Sequence, residues 1–197
     1  MQLPDALRAL TPVVAALHRL GVRHYVCGSI ASAFYGVSRM TADVDLVAGL
    51  LPSHVAAFAE SLRPDYYVDE RMILDAISRK SCFNVIHMPT NFKVDVFAVK
   101  NRPYDKNVMD RAGERCIDES VPTSRFTLSS VEDTVLAKLE WYRLGDEVSD
   151  RQWSDVVGVI RVNRASLDQR YLERWAAELG RMGGKKRAEG MTPERTA

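Results

Sequence analysis

The stretch that decides the fold runs His24-Tyr25-Val26-Cys27-Gly28-Ser29-Ile30-Ala31, then Tyr35-Gly36 and Thr41, and closes on Asp43-Val44-Asp45-Leu46-Val47. The run from His24 to Gly28 reads as a short buried strand that leaves its sheet at Gly28 and Ser29. Ile30 to Tyr35 follows as a short helix stopped by Gly36. Asp43 to Val47 alternates acid and apolar side chains, the period of two expected of a strand with two different faces, so Asp43 and Asp45 project together. Further along, Cys82 to Met88 and Phe92 to Val99 are strand-like runs joined by Pro89-Thr90-Asn91, a hairpin pattern. In the second run Lys93, Asp95 and Phe97 share one face, and Val94, Val96 and Ala98 share the other.

Outward from these strands the pattern is helical. Thr11 and Pro12 predict an N-cap and first helical residue, with Val13, Val14, Leu17 and Leu20 at helical spacing up to Gly21. Ser53 caps a helix through Leu62, and Glu70 to Arg79 reads as another. Residues 101–128 read as irregular, with short strands near Arg115 to Ile117 and Arg125 to Leu128. From Ser129 the chain turns helical: a capping box of Ser129 and Glu132 opens a helix to Leu144, Ser149 caps one with Trp153, Val156, Val157 and Ile160, and Ser166 caps a third. Trp141, Trp153 and Trp175 are expected in the core or at a lobe interface. The expected architecture is therefore α/β (α+β): a small mixed twisted sheet flanked by helices, in a core domain 1–128, a C-terminal helical lobe 129–180 and a flexible basic tail 181–197.

Composition bounds the function classes. The chain has 197 residues, 46% hydrophobic and 27% charged, with a formal net charge of +1, which excludes disordered and fibrous architectures and a strongly basic nucleic-acid coat. The 3 cysteines, Cys27, Cys82 and Cys116, form no paired-ligand spacing, and the 4 histidines make no metal-binding pattern. No run reaches the roughly 18 apolar residues of a membrane span, and Asp5 and Arg8 stand where a signal peptide needs an apolar core. The expectation is a cytoplasmic protein with no membrane partner.

The chemistry sits on the acids. Two carboxylates at i and i+2 on a strand lie roughly 6 to 7 Å apart at the Cα level, near enough to share hard divalent cations. A third from a neighbouring strand, Asp95, would complete the oxygen set that two ions about 3.5 to 4 Å apart require. Gly28 and Ser29, at a strand-to-helix turn, offer backbone N–H groups and a hydroxyl to an anion such as a triphosphate. These are the parts of phosphoryl or nucleotidyl transfer.

At this point the sequence resembles the polymerase-beta-type nucleotidyltransferase superfamily, through Gly28-Ser29-Ile30-Ala31, Tyr35-Gly36, Arg39, Thr41 and Asp43-Val44-Asp45-Leu46-Val47, with Lys93-Val94-Asp95-Val96-Phe97 as its third-carboxylate strand. The helical half is similar to AbiEii-type toxin nucleotidyltransferases and their bacterial relatives: Lys138-Leu139-Glu140 matches one later motif, and Arg151-Gln152-Trp153-Ser154-Asp155 another, except that Gln152 replaces an aspartate. The resemblance implies a nucleotidyltransferase fold with its active site between sheet and helical lobe. It implies two Mg²⁺ ions on Asp43, Asp45 and Asp95, the catalytic carboxylates. It also implies an NTP substrate contacted by Gly28, Ser29, Arg39, Lys138 and Asp155. Transfer would go to a hydroxyl of an RNA (a tRNA 3′ end) or protein acceptor, in a toxin with a cognate antitoxin as partner. The alternatives are a catalytically retired nucleotide-binding or protein-interaction module, and a small-molecule transferase of aminoglycoside type.

Overall fold

The computed structural model describes residues 3–38, 40–117 and 124–189. The chain divides into two compact units, one ending at Ser130 and one beginning at Val131. The first unit holds seven strands: β1 (His24–Cys27), β2 (Asp43–Ala48), β3 (Tyr66–Tyr67), β4 (Cys82–His87), β5 (Phe92–Ala98), β6 (Gly113–Cys116) and β7 (Arg125–Leu128). They form one mixed sheet in the order β3-β4-β5-β2-β1-β7-β6. The pairs β2–β5 and β1–β7 are parallel and the rest antiparallel.

Alternation gives the sheet two unlike faces. Val44 and Leu46 of β2, Val94 and Val96 of β5 and Phe83 and Val85 of β4 point into a core that is fully shut from water. That face packs against helices α1 (Leu3–Arg19), α3 (Val55–Leu62) and α4 (Glu70–Arg79). Burying each such side chain is worth about 1.5–3 kcal/mol, which makes this face the source of the unit's cohesion. The opposite face carries Asp43, Asp45, Lys93 and Asp95, all partly accessible.

Several elements depart from the expectation. Helix α1 begins at Leu3 rather than Thr11, with Pro12 inside it. An interior proline removes one backbone bond, but Leu7, Leu10, Val13 and Leu17 form a continuous buried stripe that keeps the helix docked, and the Thr11 hydroxyl donates to the Leu7 carbonyl at 2.8 Å. The segment expected to be irregular holds α5 (Pro103–Arg111), opened by proline at its first position. Helix α2 (Gly28–Phe34) starts two residues earlier than Ile30.

The second unit contains α6 (Val131–Leu144), α7 (Asp150–Asn163), whose Ser149 cap accepts from the Gln152 N–H, and α8 (Gln169–Glu189). Helix α8 is capped by Asp168, which accepts from the Tyr171 N–H at 3.0 Å, rather than by Ser166. Its backbone stays helical through Gly183 and Gly184 to Glu189, past the point where the tail was expected; the lysine, arginine and alanine that follow are good helix formers. Glu132, expected to close a capping box, accepts from the Asp168 N–H. Among the described residues no helix is long and apolar enough to cross a membrane.

Candidate active site

The acids meet because β2 and β5 are parallel neighbours in matched register, Asp43 opposite Lys93 and Asp45 opposite Asp95. On the other side of β2, Cys27 lies opposite Asp45, so the turn that follows β1 lies beside the same carboxylate. Gly28 opens that turn with a left-handed backbone, φ +60°, and a Cβ built on it would fall 1.8 Å from Asp45 Oδ2. Glycine is therefore required twice over, by conformation and by the closeness of the carboxylate. Ser29 follows, buried in the first turn of α2. The Thr41 hydroxyl lies 2.9 Å from the Asp43 carbonyl and 3.0 Å from its Oδ1, so its one proton serves the backbone or the carboxylate of Asp43.

A lysine sits among the acids. Lys93 Nζ donates to Asp95 Oδ2 at 2.7 Å and lies 4.0 Å from Asp43 Oδ2. That hydrogen bond, with the charges of both aspartates, holds the ammonium above its ordinary pKa. The field of this face also reaches Cys82 at the start of β4. Desolvation, then Asp95 and Asp45, push its thiol up to about 12, against the opposing pull of Lys93.

The structure thus brings Gly28, Ser29, Asp43, Asp45 and Asp95 onto one turn and one sheet face. Arg39 lies outside the described residues. Lys138 and Asp155 are brought to each other: Lys138 Nζ donates to Asp155 Oδ2 at 2.7 Å, with both side chains about 95% buried inside the helical unit. Trp175 is buried, whereas Trp141 and Trp153 are half exposed, with Trp153 tilted against Tyr142 at 5.5 Å. Sequence reasoning gave no role to Lys93 or to the Thr41 hydroxyl. Spacing was the available signal, since Thr41 and Lys93 each stand two residues before an aspartate of the triad.

Carboxylate oxygens are the donors that hard divalent cations prefer, and these already attract one positive charge, so the donor chemistry fits such an ion. Among the described residues, no three or more His, Cys, Asp or Glu side chains are gathered tightly enough to hold one in this conformation. The Asp95 carboxylate is turned to the lysine, 2.7 Å from its ammonium.

No family model matches the chain, and no curated protein does. Solved structures do. The antibiotic-resistance factor ANT(2″)-Ia aligns over 94% of this chain and 97% of its own at 15% identity and a TM-score of 0.60. Another structure of that protein contains adenylyl-2″-tobramycin. An antigenic nucleotidyltransferase-like protein from Paracoccidioides brasiliensis covers 90% of this chain and 88% of its own, at 16% identity and a TM-score of 0.55. The lincosamide adenylyltransferase LnuA, solved with lincomycin, covers 79% of this chain and 96% of its own, at 12% identity and a TM-score of 0.51. The chain has the nucleotidyltransferase fold.

Proposed function

We propose that this protein is a metal-dependent nucleotidyltransferase that moves a nucleoside monophosphate from an NTP to an acceptor hydroxyl and releases pyrophosphate. The observation that carries the reading is the register of β2 against β5, which sets Asp43, Asp45 and Asp95 on one face beside a turn whose glycine has no room for a side chain. The acceptor oxygen attacks the α-phosphorus, the new P–O bond forms as the α–β anhydride bond breaks, and the hydroxyl proton leaves toward the Asp95 carboxylate. Asp43 and Asp45 would hold divalent cations, two Mg²⁺ ions in this reading, with Asp95 as a third ligand. Such ions, when bound, neutralise the triphosphate and lower the pKa of the attacking hydroxyl. The Thr41 hydroxyl lies within hydrogen-bond reach of Asp43, and the Gly28-Ser29 turn orients the phosphates so that entering and leaving oxygens lie in line.

For the acceptor, a small polyhydroxylated molecule is favoured. The solved structures that match include proteins crystallised with an adenylylated aminoglycoside, over 89% of this chain, and with a lincosamide, over 79% of it, and they support this class. RNA or protein as acceptor, with an antitoxin partner, rests on the AbiEii-like motifs, and two of those residues, Lys138 and Asp155, are engaged with each other.

The test is incubation with each α-labelled NTP and Mg²⁺ against three pools: hydroxylated small molecules including aminoglycosides and lincosamides, total RNA, and lysate protein. Label is expected in the small-molecule pool, and Asp95→Asn is expected to cut transfer by about 10²- to 10⁴-fold while keeping nucleotide affinity. Label in RNA or protein would reassign the acceptor. Nucleotide binding with no transfer to any pool would identify a retired nucleotide-binding module.

A further inference from the structure

Lys93 is the one cation that the described structure places between carboxylates of both site strands. It stands two residues before Asp95 on β5, so it shares the acid face, and it is the register partner of Asp43 on β2. Its ammonium is hydrogen-bonded to Asp95 at 2.7 Å and is 4.0 Å from Asp43. The Lys93 side chain is 41% exposed. Its ammonium is held by charge at the end of a flexible stem, exposed enough to swing into water.

We propose that Lys93 is a tethered counter-cation: it occupies the acid face in the metal-free protein, keeps Asp95 on that face, and gives up its carboxylates when a divalent ion arrives. This rests on the nucleotidyl-transfer reading of the same site and extends it to how metal and nucleotide enter. An Asp95 oxygen engaged by the ammonium at hydrogen-bond distance is not available to a metal. A divalent ion that takes this Asp95 oxygen must therefore displace the lysine into water, and its affinity there is lowered by that competition. With an NTP present the displaced ammonium has phosphate oxygens to meet, so metal and nucleotide bind best together. Lys93 acts through Asp95 and Asp43, and it is a positioning residue.

The experiment is titration of Mn²⁺ into nucleotide-free protein, read by calorimetry and by the spin-resonance signal of free Mn²⁺, for wild type, Lys93→Gln, Lys93→Met and Lys93→Arg, with folding checked by circular dichroism. The same titrations are repeated with an NTP present. Removing the competing charge should tighten nucleotide-free Mn²⁺ binding by about three- to fivefold in Lys93→Gln and Lys93→Met, the range expected for breaking a partly exposed ion pair. Lys93→Arg should stay near wild type. Unchanged or weaker Mn²⁺ binding in both neutral variants, with wild type still binding Mn²⁺ and NTP together, would overturn the counter-cation role and leave the proposed function standing. Failure of every protein to bind Mn²⁺, with or without NTP, would overturn both.

Discussion

Two lysine–aspartate pairs in this molecule have the same 2.7 Å separation and different surroundings. Lys93–Asp95 lies on the acid face of the sheet with side chains 41% and 15% exposed, and Lys138–Asp155 lies between α6 and α7 with side chains 6% and 4% exposed. Water screens the first pair and offers each partner a substitute, so the pair can open. For the second, separation would leave a charge in the interior, shut from water, so it stays closed. Equal geometry thus separates into an exchangeable contact and a permanent one, and burial decides which.

The largest effect that would sharpen this contrast comes from the closed pair. Lys138→Ala or Asp155→Ala should each lower unfolding stability by about 3–5 kcal/mol, measured by urea denaturation, because each removes the ion partner of a charge buried in the interior. Replacing both at once, with Lys138→Met and Asp155→Leu, should recover most of that loss. A Lys138→Ala protein that unfolds like wild type but has lost nucleotide affinity would break the contrast and return the lysine to phosphate binding.

Next in size is the turn beside the open pair. Gly28→Ala forces an alanine into a left-handed backbone at a cost of about 1 kcal/mol and drives its methyl into Asp45. A fall in melting temperature of about 2–4 °C is expected for each kcal/mol lost, together with a disproportionate loss of affinity for a metal–nucleotide complex. Stability falling with the affinity intact would mean that Asp45 can relocate at no functional cost. Smallest is Lys93→Gln, which should change stability by no more than about 1 kcal/mol, since exposed ion pairs contribute little.

The same contrast explains what the sequence made legible. Alternation exposed the acid face: Asp43-Val44-Asp45 and Lys93-Val94-Asp95 show period two, and each strand came out with the expected residues buried. The helix Glu70–Arg79 was readable from its apolar spacing and is found with those bounds. Pairings between distant segments were less visible. Lys138 and Asp155 are 17 residues apart on two helices, and nothing local says that an aspartate turns inward. The spacing of Trp153, Val156, Val157 and Ile160 suggests the inner face of α7; Val156 is buried as expected, but Asp155 and Val159 share that face while Trp153, Val157 and Ile160 stay more exposed, because the interior lysine has a carboxylate facing it. Helix α5 was missed because Asp105, Lys106 and Asn107 dilute its apolar pattern, and β3 because two residues carry no period. Pro12 misled because proline marks a helix start by default, while here the buried stripe on both sides of it outweighs the lost backbone bond.

The most direct measurement of the central claim, that the acid face of the sheet is a cation-dependent nucleotide site, is calorimetric titration of an NTP into the wild-type protein with and without Mg²⁺. Three carboxylates on one face repel a triphosphate until cations intervene. The account predicts affinity at least about tenfold higher with Mg²⁺, a difference of about 1.4 kcal/mol in binding free energy. Equal affinity in the two conditions would contradict it.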